Sequence, residues 1–322
     1  MILGMGYAVP DQVLTNHDLE KMVDTSDQWI KERSGIERRH ILEKGRTNSD
    51  LGAESSIKAL RDAGVSVEDI DIIINASITP DQQFPSTACI VQDKIGAKNA
   101  AGFDISAACS GFLYGLILAD NIIKNDPNKK ILVLGTEVLS RITDWEDRST
   151  CVLFGDGSGA AVLGASDGSS GILSSYMKSN GKLAHLLYMP GNGVAHPTSH
   201  DTVDQKMHYI KMEGRETFKH AVKSMSQAAE EALKYAEIDK KDIDLLITHQ
   251  ANMRIIKALG NRLKVNEDKV FSNIAEYGNT SAASIPIAMN EARDQGKLNR
   301  GDLLLLAAFG GGFTWAAHVI RY

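Results

Sequence analysis

The 322-residue chain is poor in cysteine: Cys89, Cys109 and Cys151 are all it has, an odd number with no paired spacing. That excludes a disulfide-stapled framework and indicates a reducing compartment, the cytoplasm. Long hydrophobic runs are also missing. The longest, such as Leu303 to Phe309, fall far short of the roughly 20 residues a bilayer-crossing helix takes, and read as buried strands. The opening Met1-Ile2-Leu3-Gly4-Met5-Gly6 has neither a basic head nor a long apolar stretch, so no signal peptide is expected. There is no surplus of positive charge. A net charge of -6 argues against nucleic acid or an anionic membrane as partner. What remains is 43% hydrophobic and 24% charged residues, the profile of a globular protein with one large domain or two ordinary ones.

The chain repeats itself. The sixteen residues from Ala59 to Ile74 align without a gap on those from Ala232 to Ile247, at an offset of 232 − 59 = 173, with identities that include Ala59/Ala232, Asp69/Asp242, Asp71/Asp244 and Ile74/Ile247. Each copy reads as a helix end, a polar loop and an apolar strand. A second echo follows in the same order. The strand Lys130 to Gly135, a glycine turn at Gly155-Asp156-Gly157 and the strand Ala160 to Leu163 resemble Leu303 to Leu306, Gly310-Gly311-Gly312 and Trp315 to Arg321. Two echoes in one order imply duplication. The expected division is an N-terminal α/β half at 1–168 and a C-terminal half at 169–322, with the site where the halves meet.

The AACSGF segment follows an apolar strand ending near Ile105 and enters a run, Gly111 to Ile123, that is apolar nearly all round and so reads as a buried helix. Cys109 then lies at a helix N-terminus, where unpaired N–H groups favour an anion and are expected to lower the thiol pKa. Cys89, mid-helix, and Cys151, in a strand, are expected to be ordinary buried cysteines. His249 follows the second repeat strand, at the strand's C-terminal end, where α/β proteins commonly put chemistry. Asn279, in the turn YGNTSAAS, lies close to the second-half counterpart of Cys109 (279 − 109 = 170, against 173). Pro286 requires the helix after that turn to start late or to kink.

Some patterns carry no chemistry. Gly4-x-Gly6 lacks a third glycine and runs into Pro10, unlike a dinucleotide turn, and the GDGSG run lacks the lysine of a phosphate loop. His196 and His200 have helical spacing, but Pro197 between them argues for a loop rather than a metal site.

Seven segments together resemble the β-ketoacyl-acyl-carrier-protein synthase III family, the initiating condensing enzymes of bacterial fatty acid synthesis. They are DTSDQWI from Asp24, AACSGF, Asp147-Arg148-Ser149-Thr150, FGDGSGAA, HQANMRI from His249, YGNTSAAS from Tyr277 and AFGGGFTW from Ala308. The resemblance spans essentially the whole chain. It implies a thiolase fold, two duplicated α/β halves packed as a five-layer αβαβα sandwich. It also implies condensation of a short acyl-CoA with a malonyl thioester on acyl carrier protein, and a homodimer.

By that resemblance Cys109 carries the acyl group, and its backbone N–H joins that of Gly311 as an oxyanion hole. His249 and Asn279 donate to the malonyl thioester carbonyl; neutral donors suffice, so neither metal nor cofactor is expected. Trp29 and Arg148 would sandwich the adenine of CoA, with Thr25, Arg33, Gly214, Phe218 and Asn252 along the channel. Leu139 and Phe154 would bound the acyl pocket, together with Phe84 reaching across the dimer interface. The acidic carrier protein calls for local positive charge in a chain of net -6. Arg215, Lys219, Arg254 and Arg262 are the candidates, with Lys223, Lys257 and Lys264 equally well read as ordinary solvated positions. The stretch 179–205 departs most from the family pattern and reads as a lengthened loop over the pocket. Two other readings use the same residues: a Cys-His-Asn thioester hydrolase or acyltransferase, and a non-catalytic acyl-CoA sensor.

Overall fold

The structure is a computed structural model that describes residues 1–166 and 168–322. Ten strands form two five-stranded sheets. In chain order they are β1 (Ile2–Ala8), β2 (Ile72–Ala76), β3 (Ala101–Ile105), β4 (Ile131–Val138) and β5 (Asp156–Leu163), then β6 (Gly171–Ser179), β7 (Leu245–Thr248), β8 (Val270–Phe271), β9 (Leu303–Gly310) and β10 (Thr314–Arg321). The first sheet runs β1-β5-β4-β2-β3 and the second β6-β10-β9-β7-β8. The order is the same after a shift of five strands. So are the directions: β2 is parallel to β3 and β4, and β7 to β8 and β9, while the other pairs are antiparallel.

The repeat offset survives folding. Strand β2 begins at Ile72 and β7 at Leu245, and 245 − 72 = 173. Helix α3 (Gly111–Asn125) and helix α6 (Ser284–Asp294) begin 284 − 111 = 173 residues apart. Between the two sheets the chain passes through Gly164–Gly171, and we propose that the halves divide there, at 168/169.

Layering follows from where apolar side chains point. Alternate strand residues face opposite sides of a sheet. Ile74, Val133 and Leu306 point into the space between the sheets, where they pack with Phe112, Leu116 and Met289 of α3 and α6. Ile73 and Leu132 point the other way, onto helices α1 (Asn48–Ala63) and α2 (Thr87–Ile95). Leu305 and Val319 point onto helix α4 (Gly214–Ala236), which also packs on helix α5 (Met253–Leu263). The result is five layers: helices, sheet, the α3/α6 pair, sheet, helices. Covered on both faces, β4, β5 and β9 are buried at every residue, which explains the unbroken apolar stretches Ile131–Leu134, Ala160–Leu163 and Leu303–Phe309 within them.

Three local expectations meet the structure as follows. Helix α3 is buried along most of its length, with Leu118 38% exposed. Pro286 is the third residue of α6, inside the first turn, where an N–H has no helical partner to lose. Cys151 is buried but ends a short helix, Arg148–Cys151, rather than lying in a strand, and Cys89 in α2 is exposed. No helix among the described residues is long and apolar enough to cross a membrane.

Candidate active site

Helices α3 and α6 each follow one tight turn, Ala108–Ser110 and Ser281–Ala283, and the two turns touch at the centre of the molecule. Both turns open with a residue in left-handed geometry, Ala108 at φ 45° and Ser281 at φ 49°, and 281 − 108 = 173. A non-glycine residue there costs about 1–3 kcal/mol and persists only where the surroundings hold it. Thr314 Oγ1 donates to Ala107 O at 2.8 Å, and Ser110 Oγ donates to Thr314 O at 3.1 Å. These bonds tie the first turn to the start of β10. Each sheet also reaches across to the turn of the other half. A Cβ on Gly135 of β4 would lie 2.2 Å from Ala282 O, and one on Gly310 of β9 would lie 2.6 Å from Cys109 N. Only glycine permits that approach. The counterpart of Cys109 at the repeat offset is therefore Ala282, and Asn279 stands three residues before it.

Cys109, His249 and Asn279 line one cavity of about 530 Å³, together with Gly311 of the β9–β10 turn. Its surface is mostly apolar. One wall is a cluster of Leu139, Phe154 and Ile210 with Ile78, Ile142 and Leu153; another is Phe218, Ala251 and Ile255. Leu187, Tyr188 and Met189, from the divergent 179–205 stretch, also line it. Leu187 and Tyr188 form a two-residue strand paired with Lys211–Met212, which anchors that stretch over the cavity.

His249 is 2% exposed. Its N–H donates to Ala307 O at 2.8 Å, extending the β7–β9 ladder one residue beyond the strand. Its Nδ1 lies 2.7 Å from Ser284 Oγ, and that oxygen also accepts the Gln250 N–H at 3.3 Å. Burial pushes the imidazole down to about 3, so the ring is neutral. If the Ser284 hydroxyl donates to Nδ1, the ring proton sits on Nε2. Asn279 Oδ1 accepts the Ser281 N–H at 2.9 Å. This orients the amide and leaves Nδ2 as the free donor.

The thiol departs from expectation in one respect. Cys109 does lie at the start of α3, but its thiol is pushed up to about 12, chiefly by burial and in smaller part by the Glu137 carboxylate, against the lowering by the Ser281 hydroxyl. Desolvation outweighs the lowering by the Ser281 hydroxyl and by the Cys109 N–H.

The remaining candidates fall into three groups. Gly214, Phe218 and Asn252 line the cavity. Asn252 Nδ2 donates to Arg33 O at 2.9 Å, which links them to Arg33, Trp29, Thr25 and Arg148. There the expected sandwich is closed. The Arg148 guanidinium lies 4.8 Å from the Trp29 ring centroid, and that of Arg33 5.9 Å. A base between two faces needs two contacts of about 3.5–4.0 Å each, so it enters only when Arg148 swings away. Phe84 does not reach the cavity of its own chain and stands 84% exposed. Arg215, Lys219, Arg254 and Arg262 are exposed on α4 and α5. Lys219 is paired with Glu216 at 2.7 Å, whereas Arg254 lies over Phe218 at 5.7 Å, beside the cavity wall.

Sequence reasoning assigned no role to Ser281, Ser284 or Glu137. The serines sit inside a quoted motif. Glu137 has its own signal, a carboxylate at the end of an apolar strand whose every residue is buried. No group of three or more His, Cys, Asp or Glu side chains among the described residues is arranged to hold a metal ion.

Known proteins resemble the chain along its whole length. Residues 103–181 match the family described as 3-oxoacyl-[acyl-carrier-protein (ACP)] synthase III, and residues 233–322 match its C-terminal part. The β-ketoacyl-[acyl-carrier-protein] synthase III of Caldanaerobacter subterraneus is 52% identical over 321 residues, covering 100% of this chain and 97% of that one. The crystal structure of 3-oxoacyl-[acyl-carrier-protein] synthase III from Aquifex aeolicus superposes with a TM-score of 0.93 at 50% identity, covering 100% of this chain and 99% of that one. That from Pseudomonas aeruginosa gives 0.92 at 36% identity, with 100% and 97% covered. The chain belongs to the β-ketoacyl-acyl-carrier-protein synthase III family and has its thiolase fold.

Proposed function

We propose that this family member joins a short-chain acyl-CoA to malonyl-acyl carrier protein by decarboxylative condensation, releasing CoA and CO2 and starting fatty acid synthesis. The observation that carries the reading is the convergence of Cys109, a neutral His249 and Asn279 on one largely apolar cavity.

In the first half-step Cys109 sulfur attacks the acyl-CoA carbonyl, the Cys109 and Gly311 N–H groups hold the oxyanion, and CoA leaves. In the second, the malonyl group loses CO2. His249 Nε2 and Asn279 Nδ2 donate to its thioester carbonyl as enolate charge develops, and the carbanion attacks the acyl-Cys109 carbonyl; the bond to Cys109 sulfur breaks, the β-ketoacyl carrier protein leaves, and the thiolate takes up a proton. Neutral hydrogen-bond donors stabilise that charge, so the reaction calls on no metal or redox cofactor. The apolar walls keep water from the acyl-enzyme, which favours condensation over hydrolysis.

Leu139 and Phe154 bound the acyl end of the cavity. Gly214, Phe218 and Asn252 take the pantetheine arm, while Thr25, Trp29, Arg33 and Arg148 take the nucleotide. Arg215, Arg254 and Arg262, with Lys219, meet the acidic carrier protein. The reaction belongs in the cytoplasm, with its carrier-protein and CoA substrates. Strand β3 lies at the edge of the first sheet with Phe103 38% exposed. Pairing of β3 with its copy in a homodimer would cover it and carry Phe84 toward the other subunit's pocket.

Intact-protein mass spectrometry tests the reading. Acyl-CoA should add one acyl group to the wild type and none to Cys109→Ala, and malonyl carrier protein should discharge it. A label that water removes at once would identify a hydrolase instead; a label that never forms would leave a sensor.

A further inference from the structure

Acylation needs a destination for the Cys109 proton. The thiol is held protonated by burial, and His249 is committed to Ser284 through Nδ1 and to the second half-step through Nε2. A carboxylate lies close by with no role in that scheme. Glu137, on β4, is 0% exposed. One of its oxygens accepts from Thr79 Oγ1 at 2.6 Å, Ser77 Oγ at 3.2 Å and the Ile78 N–H at 3.2 Å. The other accepts from Ser281 Oγ at 3.0 Å. Every donor is neutral, and no ion pair among the described residues includes Glu137. The Ser281 oxygen in turn faces the Cys109 thiol, and Ser281 lines the cavity. Its backbone is left-handed, φ 49°, and its turn packs against the turn that carries Cys109.

We propose that Ser281 and Glu137 form a proton relay for acylation of Cys109. This inference rests on the condensing reading above. The Cys109 S–H bond breaks as sulfur bonds the acyl carbon. The proton passes to Ser281 Oγ while the Ser281 hydroxyl proton passes to Glu137. Collapse of the tetrahedral adduct breaks the carbon–sulfur bond to CoA and leaves the electron pair on the CoA sulfur. The proton returns from Glu137 through Ser281 to that sulfur, and the carboxylate is restored. In this relay Ser281 exchanges the proton with sulfur, and Glu137 acts through Ser281. Burial raises the Glu137 carboxyl to about 7, where it can both take and return a proton.

The groups facing Glu137 are hydroxyls of the segment after β2, the Ile78 amide, the Ser281 hydroxyl and the Cys109 thiol, which is the titratable member of the set. Asp156, on the neighbouring strand, is turned instead to Ser140 and the Leu42 N–H.

The test is single-turnover acylation by acetyl-CoA, quenched and read as intact mass, from about pH 5 to 9 so that the whole range of a proton acceptor poised near neutrality is covered. Wild-type acylation should rise with pH through about 7, as Glu137 ionises. Glu137→Gln should acylate about 100-fold more slowly at neutral pH, the size of a typical general-base contribution. Its rate should instead climb steadily as hydroxide takes over. Ser281→Ala should lose the same limb. It keeps Glu137 with its three other donors, and so serves even if Glu137→Gln does not fold. Discharge of preformed acyl-enzyme by malonyl carrier protein should change little in either variant. A carboxylate that acts only through its charge gives the opposite sign, because removing a negative charge eases thiolate formation. Glu137→Gln acylating as fast as wild type, or faster, would therefore overturn the relay while leaving the condensing reading intact. A wild type that never acylates would overturn that reading and the relay with it.

Discussion

Ser284→Ala separates the two half-reactions. Ser284 Oγ lies 2.7 Å from His249 Nδ1 and accepts the Gln250 N–H at 3.3 Å, and His249 and Gln250 are 2% and 1% exposed. Removing the hydroxyl leaves buried groups without their partner, at a cost of about 1–3 kcal/mol. It also frees the imidazole to place its proton on Nδ1, where it cannot serve the malonyl carbonyl. If that loss is felt in the transition state, the rate falls by about ten- to a hundredfold, since each 1.36 kcal/mol is a factor of ten. The whole effect should fall on one step. In the proposed scheme acyl transfer from acyl-CoA to Cys109 calls on backbone donors, so it should keep its wild-type rate. CO2 release and discharge by malonyl carrier protein should slow, with little change in KM for the carrier. Rapid-quench mass spectrometry follows the first step, and release of labelled CO2 follows the second. Equal slowing of both steps would show that Ser284 acts only by holding α6 in place. An unchanged second step would show that the His249 tautomer does not depend on it.

Two further outcomes follow from the geometry. Trp29→Ala removes the indole that both Arg148 and Arg33 approach; a desolvated cation–π or base stack is worth about 1–2 kcal/mol, so KM for acetyl-CoA should rise about tenfold while acetyl-pantetheine, which has no base, reacts as with wild type. Stability should fall with acid, because burial lowers His249 to about 3 and His318 to about 4. The unfolded chain takes up protons that the folded one refuses, so these histidines' contribution is whole above 6.5 and is lost progressively as pH falls toward 4 and 3. Urea midpoints measured against pH should show this decline, and His318→Asn should flatten it; a midpoint that does not move over that range would refute the assignment.

Much of this architecture is legible in the chain itself. The 173-residue offset between Ala59 and Ala232 predicts two like halves, and the sheet orders and the starts of α3 and α6 repeat with it. Local pattern carries that far because alternation of apolar residues decides which side of a strand is buried, and a duplicated pattern folds into a duplicated layer. Motif composition likewise singled out Cys109, His249 and Asn279, and they line one cavity. Cys151 was misplaced because a short helix of four residues, Arg148–Cys151, has too few positions to show a period.

The sequence by itself determined the duplication through its 173-residue spacing, and the family, its fold class and the three converging residues through the resemblance that its motifs carry. Tertiary structure decided the electrical state of the site. The thiol is raised rather than lowered because packing removes water from around it, and the imidazole is neutral for the same reason. Ser281 donates to Glu137, 144 residues away, and Ser284 meets His249, 35 residues away. Desolvation and such contacts are properties of three-dimensional neighbours, and a one-dimensional pattern records who those neighbours are only after the two halves have closed on each other.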